Sequence, residues 1–121
     1  MNQNLIIIDD DEPFRERLAR SMEKKGFAVE AFGSANKAKE RLKEKYFTHA
    51  IVDMRLEDGS GLEIIQYILK ISPKTKSLLL TGYGNIATAV AAIKSGAIDY
   101  LPKPADFDQI YDALTLSLIH I

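Results

Sequence analysis

A chain of 121 residues suits one domain with a real core and is short for two. Its 46% hydrophobic and 27% charged residues mark a globular chain, and a net charge of -1 from 16 basic and 17 acidic residues gives no reason to expect nucleic acid or an anionic membrane as a direct partner. The lack of cysteine excludes disulfides, thiolate catalysis and zinc–thiolate sites, and no apolar run has the length of a signal peptide or membrane span, so a cytoplasmic location is expected.

Residues 5–8 form an unbroken apolar run that reads as a strand covered on both faces, with Asp9 and Asp10 at its carboxyl end. Phe14, Leu18 and Met22 then recur at helical spacing behind Pro13; Asp11 and Glu12 suit the cap, and Gly26 stops the helix. A second strand, 28–32, carries Glu30 and reads as an edge, and Ser34 caps a second helix striped by Ala35, Ala38 and Leu42. The third strand, 50–52, is wholly apolar and delivers Asp53. Ser60-Gly61-Leu62-Glu63 has capping-box spacing ahead of a stripe of Leu62, Ile65 and Ile68/Leu69.

The fourth strand, 77–80, leads to Thr81, and a fourth helix ended by Gly96 is expected to turn Ile86, Val90 and Ile93 inward. The fifth strand, 98–101, carries Asp99, reads as the other edge and runs into Pro102-Lys103-Pro104. Asp106 suits the cap of a fifth helix with Phe107, Ile110, Leu114 and Leu118 facing inward. Residues 117–121 either finish that helix or are a truncation or cloning tail.

Strands alternating with helices predict an α/β fold: a flavodoxin-like, doubly wound parallel sheet of five strand–helix units with strand order 2-1-3-4-5. One domain is expected over 1–121, with its core at about 4–118. In such a sheet the carboxyl ends of the strands line one crevice, which would gather Asp9, Asp10, Asp53, Thr81 and Lys103. Carboxylates about 4 Å apart repel by roughly 4 kcal/mol at an effective dielectric near 20, so the acids call for a cation; all-oxygen ligands with room for water and phosphate suit Mg²⁺.

Lys103 supplies an ammonium on a long stem, with its backbone fixed by flanking prolines, and Lys103-Pro104 is a candidate cis peptide. Thr81 is uninformative alone, since β-branched residues are ordinary in strands. Tyr100 is either a half-buried edge aromatic or a rotamer switch beside the site. Gly82 to Ala87 matches a dinucleotide fingerprint but follows the wrong strand in too short a chain. Gly59-Ser60-Gly61 reads as a turn before a capped helix, and His49 and His120 show no ligand spacing.

The segments 6–11 (IleIleIleAspAspAsp), 50–55 (AlaIleValAspMetArg), 79–84 (LeuLeuThrGlyTyrGly) and 99–104 (AspTyrLeuProLysPro) together resemble the receiver domain of two-component response regulators, over residues 4–118. The stretch from Thr81 to Leu101 further resembles the redox-responsive regulators of the RegA/PrrA/ActR type. The resemblance implies that Asp53 accepts a phosphoryl group from a sensor histidine kinase. It implies Mg²⁺ on Asp10, Asp53 and the Arg55 main-chain carbonyl, with Asp9 acting through water or as a further ligand.

It also implies that Lys103 offsets the incoming charge, that Thr81 and Tyr100 switch, and that the face of the fourth helix, fifth strand and fifth helix responds, as in a phosphorylation-dependent homodimer. Arg55 and Tyr83 are candidates for setting the phosphoryl lifetime. DNA binding would come only through an output domain that does not follow Leu118 here; a domain separated from a transcription regulator and a single-domain receiver are both open. On this reading the chain is no enzyme beyond its own phosphorylation and slow dephosphorylation. The alternatives are a haloacid-dehalogenase-like phosphatase with Asp9 as nucleophile and Asp11 as acid/base, and an interaction module independent of phosphorylation.

Overall fold

The computed structural model describes residues 3–82, 86–94 and 96–115. Its elements run β1 (Asn4–Ile8), α1 (Glu12–Lys24), β2 (Ala28–Phe32), α2 (Ala35–Glu44), β3 (His49–Asp53), β4 (Arg55–Leu56), β5 (Gly59–Ser60), α3 (Gly61–Ile71), β6 (Lys76–Thr81), α4 (Ile86–Lys94), β7 (Asp99–Pro102) and α5 (Phe107–Thr115). Five strands form one parallel sheet in the order β2-β1-β3-β6-β7. With β6 and β7 as its fourth and fifth strands, this is the expected doubly wound order, and the two strands interrupted by acids are its edges. The antiparallel ribbon β4-β5 was not foreseen: two residues a side leave no periodicity to read.

Alternation along the strands divides the core. Ile6, Ile8, Ala50, Val52 and Leu79 pack on one face against Ala38 and Leu42 of α2, Ile64, Ile65 and Ile68 of α3, and Ala92 of α4. Leu5, Ile7, Ile51, Leu78 and Leu80 pack on the other against Leu18 and Met22 of α1 and Ile110 and Leu114 of α5. Each such Leu or Ile, fully removed from water, contributes about 1.5–3 kcal/mol. The central strands carry most of this burial, and so the sheet holds its carboxyl edge rigidly.

Side-chain caps set the helix starts. Asp11 accepts from Phe14 N, Ser34 from Lys37 N and Ser60 from Leu62 N. Asp106 accepts from Gln109 N while its own amide donates to Gln109 Oε1, a reciprocal capping box. The box expected at Ser60 forms only in part, because the serine hydroxyl takes the nearer amide. Ile64 also joins Ile65 and Ile68 in the core, leaving Leu62 and Leu69 partly buried. Gly26 (φ 107) and Gly96 (φ 114) close α1 and α4 in the left-handed region that glycine tolerates.

Helix α4 reverses one expectation. Val90 and Ile93 are 42% and 39% exposed, whereas Ala89 and Ala92 are fully buried. Small side chains let the helix lie close to the sheet and turn its larger residues outward. The side chain of Ile86, together with Tyr83, Leu118, His120 and the 117–121 tail, lies outside what is described. The fifth strand begins one residue later than predicted, at Asp99.

Candidate functional site

Four strand ends meet at the carboxyl edge of the sheet. Asp9 follows β1, Asp53 is the last residue of β3, Thr81 the last of β6, and Lys103 follows β7. Since β1 pairs with β3, β3 with β6 and β6 with β7, residues distant in sequence become neighbours. Asp9 is 1% exposed and Asp53 8%, so both carboxylates face the interior of this edge rather than open solvent.

Lys103 bridges them. Its Nζ donates to Asp9 Oδ2 at 2.8 Å and stands 3.1 Å from Asp53 Oδ1. The same ammonium lies 4.6 Å from the ring centroid of Phe14 on α1, a cation–π contact. The Lys103 amide donates to Thr81 O at 2.6 Å, and the Lys103–Pro104 peptide bond is cis.

Asp9 is held at every polar atom. Its amide donates to Phe32 O at 3.0 Å, its carbonyl accepts from Arg15 Nη1 at 2.8 Å, and Oδ1 accepts from Asp11 N at 2.9 Å. Thr81 Oγ1 donates weakly to Leu101 O at 3.5 Å, and Tyr100 packs half-buried against the α2–α3–α4 side of the core. Arg55 opens the ribbon with its side chain exposed.

Burial is the largest influence on Asp53 and raises its pKa to about 6; Asp9 and Asp10 push the same way, and Lys103 opposes them. For Lys103, burial acts to lower the pKa, but the bond to Asp9 and the Asp53 charge outweigh it and the net shift is upward. One carboxylate oxygen from each of Asp9, Asp10 and Asp53 lies within 4.8 Å of the others. Three carboxylates against one ammonium leave a deficit of positive charge in an all-oxygen donor set, which fits a hard divalent cation. Beside them opens a cleft of about 330 Å³ lined by Asp11, Phe14, Gly82, Lys103 and Pro104.

The sequence pattern gave no warning of Arg15, Phe14, Gly61 or Asp58 as parts of this edge. Gly61 N donates to Met54 O at 2.8 Å, and a Cβ at Gly61 would run into the Asp53 carbonyl oxygen. Asp58 accepts from the amides of Ala35 at 2.7 Å and Asn36 at 3.0 Å, adding an acid to the serine-capped start of α2. His49 meets Thr48 Oγ1 at 2.8 Å and the Phe27 ring at 5.0 Å, and burial lowers its pKa to about 4. It lies in the core at the start of β3, at the opposite end of that strand from Asp53. Asp11, the acid/base of the phosphatase alternative, is committed to capping α1.

A parallel sheet with acids, a hydroxyl and a lysine converging on its carboxyl edge is the arrangement of a phosphorylation-controlled switch domain. The family model of the response regulator receiver domain matches residues 5–115, and the chain belongs to that family: it is a receiver domain of two-component response regulators. It is 51% identical over 113 residues to the acid tolerance regulatory protein ActR of Rhizobium meliloti (strain 1021), covering 93% of this chain and 58% of the relative. Against the photosynthetic apparatus regulatory protein RegA of Cereibacter sphaeroides it is 47% identical, covering 93% of this chain and 61% of the relative. The chain thus spans about three-fifths of the length of these relatives.

Among solved structures, a response regulator from Burkholderia pseudomallei, crystallised with a phosphorylated aspartic acid, a calcium ion and citrate, superposes with a TM-score of 0.89 at 39% identity, over 96% of this chain and 69% of that one. A receiver domain from Clostridium thermocellum gives 0.89 at 27% identity, over 96% and 94%. Among the described residues no helix is long and apolar enough to cross a membrane.

Proposed function

We propose that Asp53 is the phosphoacceptor and that residues 1–121 act as one switch domain. The observation that carries this is the Lys103 ammonium set between the Asp9 and Asp53 carboxylates, at 2.8 and 3.1 Å. An Asp53 oxygen attacks the phosphorus of a phosphohistidine on a sensor histidine kinase. The phosphorus–nitrogen bond breaks, the imidazole leaves with a proton, and an acyl phosphate remains.

Lys103 follows the charge of about -1.5 to -2 that arrives with the phosphoryl group. Asp10, Asp53 and the Arg55 main-chain carbonyl would hold Mg²⁺, with Asp9 as a further or water-mediated ligand. The ion supplies neutralisation of phosphoryl charge, which is most of what such a transfer needs. Thr81 then gives up its weak bond to Leu101 O for a phosphoryl oxygen, and Tyr100 turns into the vacated space. The face of α4, β7 and α5 shifts its population in response.

That face is the candidate surface for a phosphorylation-dependent homodimer and for control of a DNA-binding output domain. The domain's own chemistry is limited to its phosphorylation and slow dephosphorylation, and its place is the cytoplasm. Incubation with acetyl phosphate and Mg²⁺, followed by intact mass and peptide mapping, is expected to add one phosphoryl group on Asp53, and Asp53→Asn to abolish it. Label on Asp9, or normal uptake by Asp53→Asn, overturns the assignment.

A further inference from the structure

We propose that Arg15 is a positioning residue for the cation-binding acids, an inference that rests on the reading of Asp9, Asp10 and Asp53 as a divalent-cation site. Arg15 lies on the first turns of α1 and reaches back six positions to donate from Nη1 to the Asp9 carbonyl oxygen at 2.8 Å. That oxygen belongs to the peptide leading into Asp10. Fixing it fixes the rotation of the peptide, and with it the direction in which Asp10 leaves the backbone.

Asp10 is the member that needs such control. Both carboxylate oxygens of Asp9 are already engaged, by Asp11 N and Lys103 Nζ, and Asp53 is buried at the end of β3. Asp10 is the least buried of the three. The planar guanidinium fork suits a fixed donor role.

A second observation points to the same contact. Gly33, between β2 and α2, has no left-handed φ that would call for glycine; the positive-φ glycines among the described residues are Gly26 and Gly96. A Cβ there would instead lie 2.8 Å from Arg15 Nη1 and 3.3 Å from Cζ. The missing side chain at Gly33 is the slot in which the guanidinium rests.

The relation yields a double-variant test. Arg15→Ala removes the donor, and Gly33→Ala displaces it at little structural cost, since the colliding atoms are the far end of a flexible side chain. Mg²⁺ binding is followed on the full chain, without phosphodonor, by the amide shifts of residues 9–11 and 53. Each variant is expected to bind Mg²⁺ about tenfold more weakly, the low end of what an outer-sphere partner is worth.

Arg15→Lys, which keeps a donor, should fall between wild type and Arg15→Ala. The double variant should bind no more weakly than Arg15→Ala alone, because the added methyl then has nothing to displace. In acetyl phosphate labelling the half-saturating Mg²⁺ rises, while the rate at saturating Mg²⁺ stays within about twofold. Affinities within twofold of wild type, or losses that add in the double variant, overturn the proposal. A wild-type chain with no saturable Mg²⁺ shift at these residues overturns the reading beneath it.

Discussion

Asp53 sits where burial and charge pull against one another. Its folded-state pKa is raised to about 6 from 3.8, so folding favours the neutral acid. That contribution is fully present below about pH 3.8 and is lost as the pH rises through about 6. Asp53→Asn keeps a neutral side chain of the same shape, and in cation-free buffer it should be the more stable protein at pH 7.5, with the advantage gone by about pH 4. Urea unfolding of both proteins across that range checks this, and parallel stability curves would refute it. Asp53, Thr81 and Lys103 were legible in the sequence because each stands at the end of an apolar run. Arg15 and Phe14 were not, since a long side chain's reach to a strand end leaves no mark on helical spacing.

At the scale of elements, the start of α3 is welded to the end of β3. Gly61 N holds Met54 O at 2.8 Å, and the Cα of Met54 lies 2.8 Å from where a Cβ on Gly61 would stand. Here the colliding atoms are backbone and cannot swing away as the Arg15 guanidinium can. Gly61→Ala is therefore expected to cost about 1–3 kcal/mol, measured by urea unfolding, despite the better helix propensity of alanine. A loss below about 0.5 kcal/mol would mean that the two elements separate easily. Strands and caps were readable because burial on both faces and Asp or Ser before a helix each leave a local signature. The β4–β5 ribbon and the outward turn of Val90 and Ile93 were not, because the first is two residues a side and the second depends on how closely an alanine-faced helix approaches the sheet.

Across the whole molecule, apolar residues divide between two buried layers, yet Val90 and Ile93 of α4 remain 42% and 39% exposed. Side chains this exposed, on the face proposed to switch, add little to folding. Val90→Ser combined with Ile93→Ser should change the unfolding free energy of the unphosphorylated domain by less than about 0.5 kcal/mol; a core role would show as a loss several times larger in the same measurement. The strand order itself was readable across the molecule, since interior strands are continuously apolar and edge strands tolerate acids.

That order also distributes stiffness. β3, which ends in Asp53, is clamped by ladders on both sides, whereas among the described residues β7, which leads into Lys103, is laddered to β6 alone. Displacing Asp53 would strain two ladders, and displacing Lys103 would strain one. On the proposed phosphorylation of Asp53, the domain has a stiff mount for the acceptor and a more compliant one for Lys103, so charge added at the first is expected to be taken up as movement at the second.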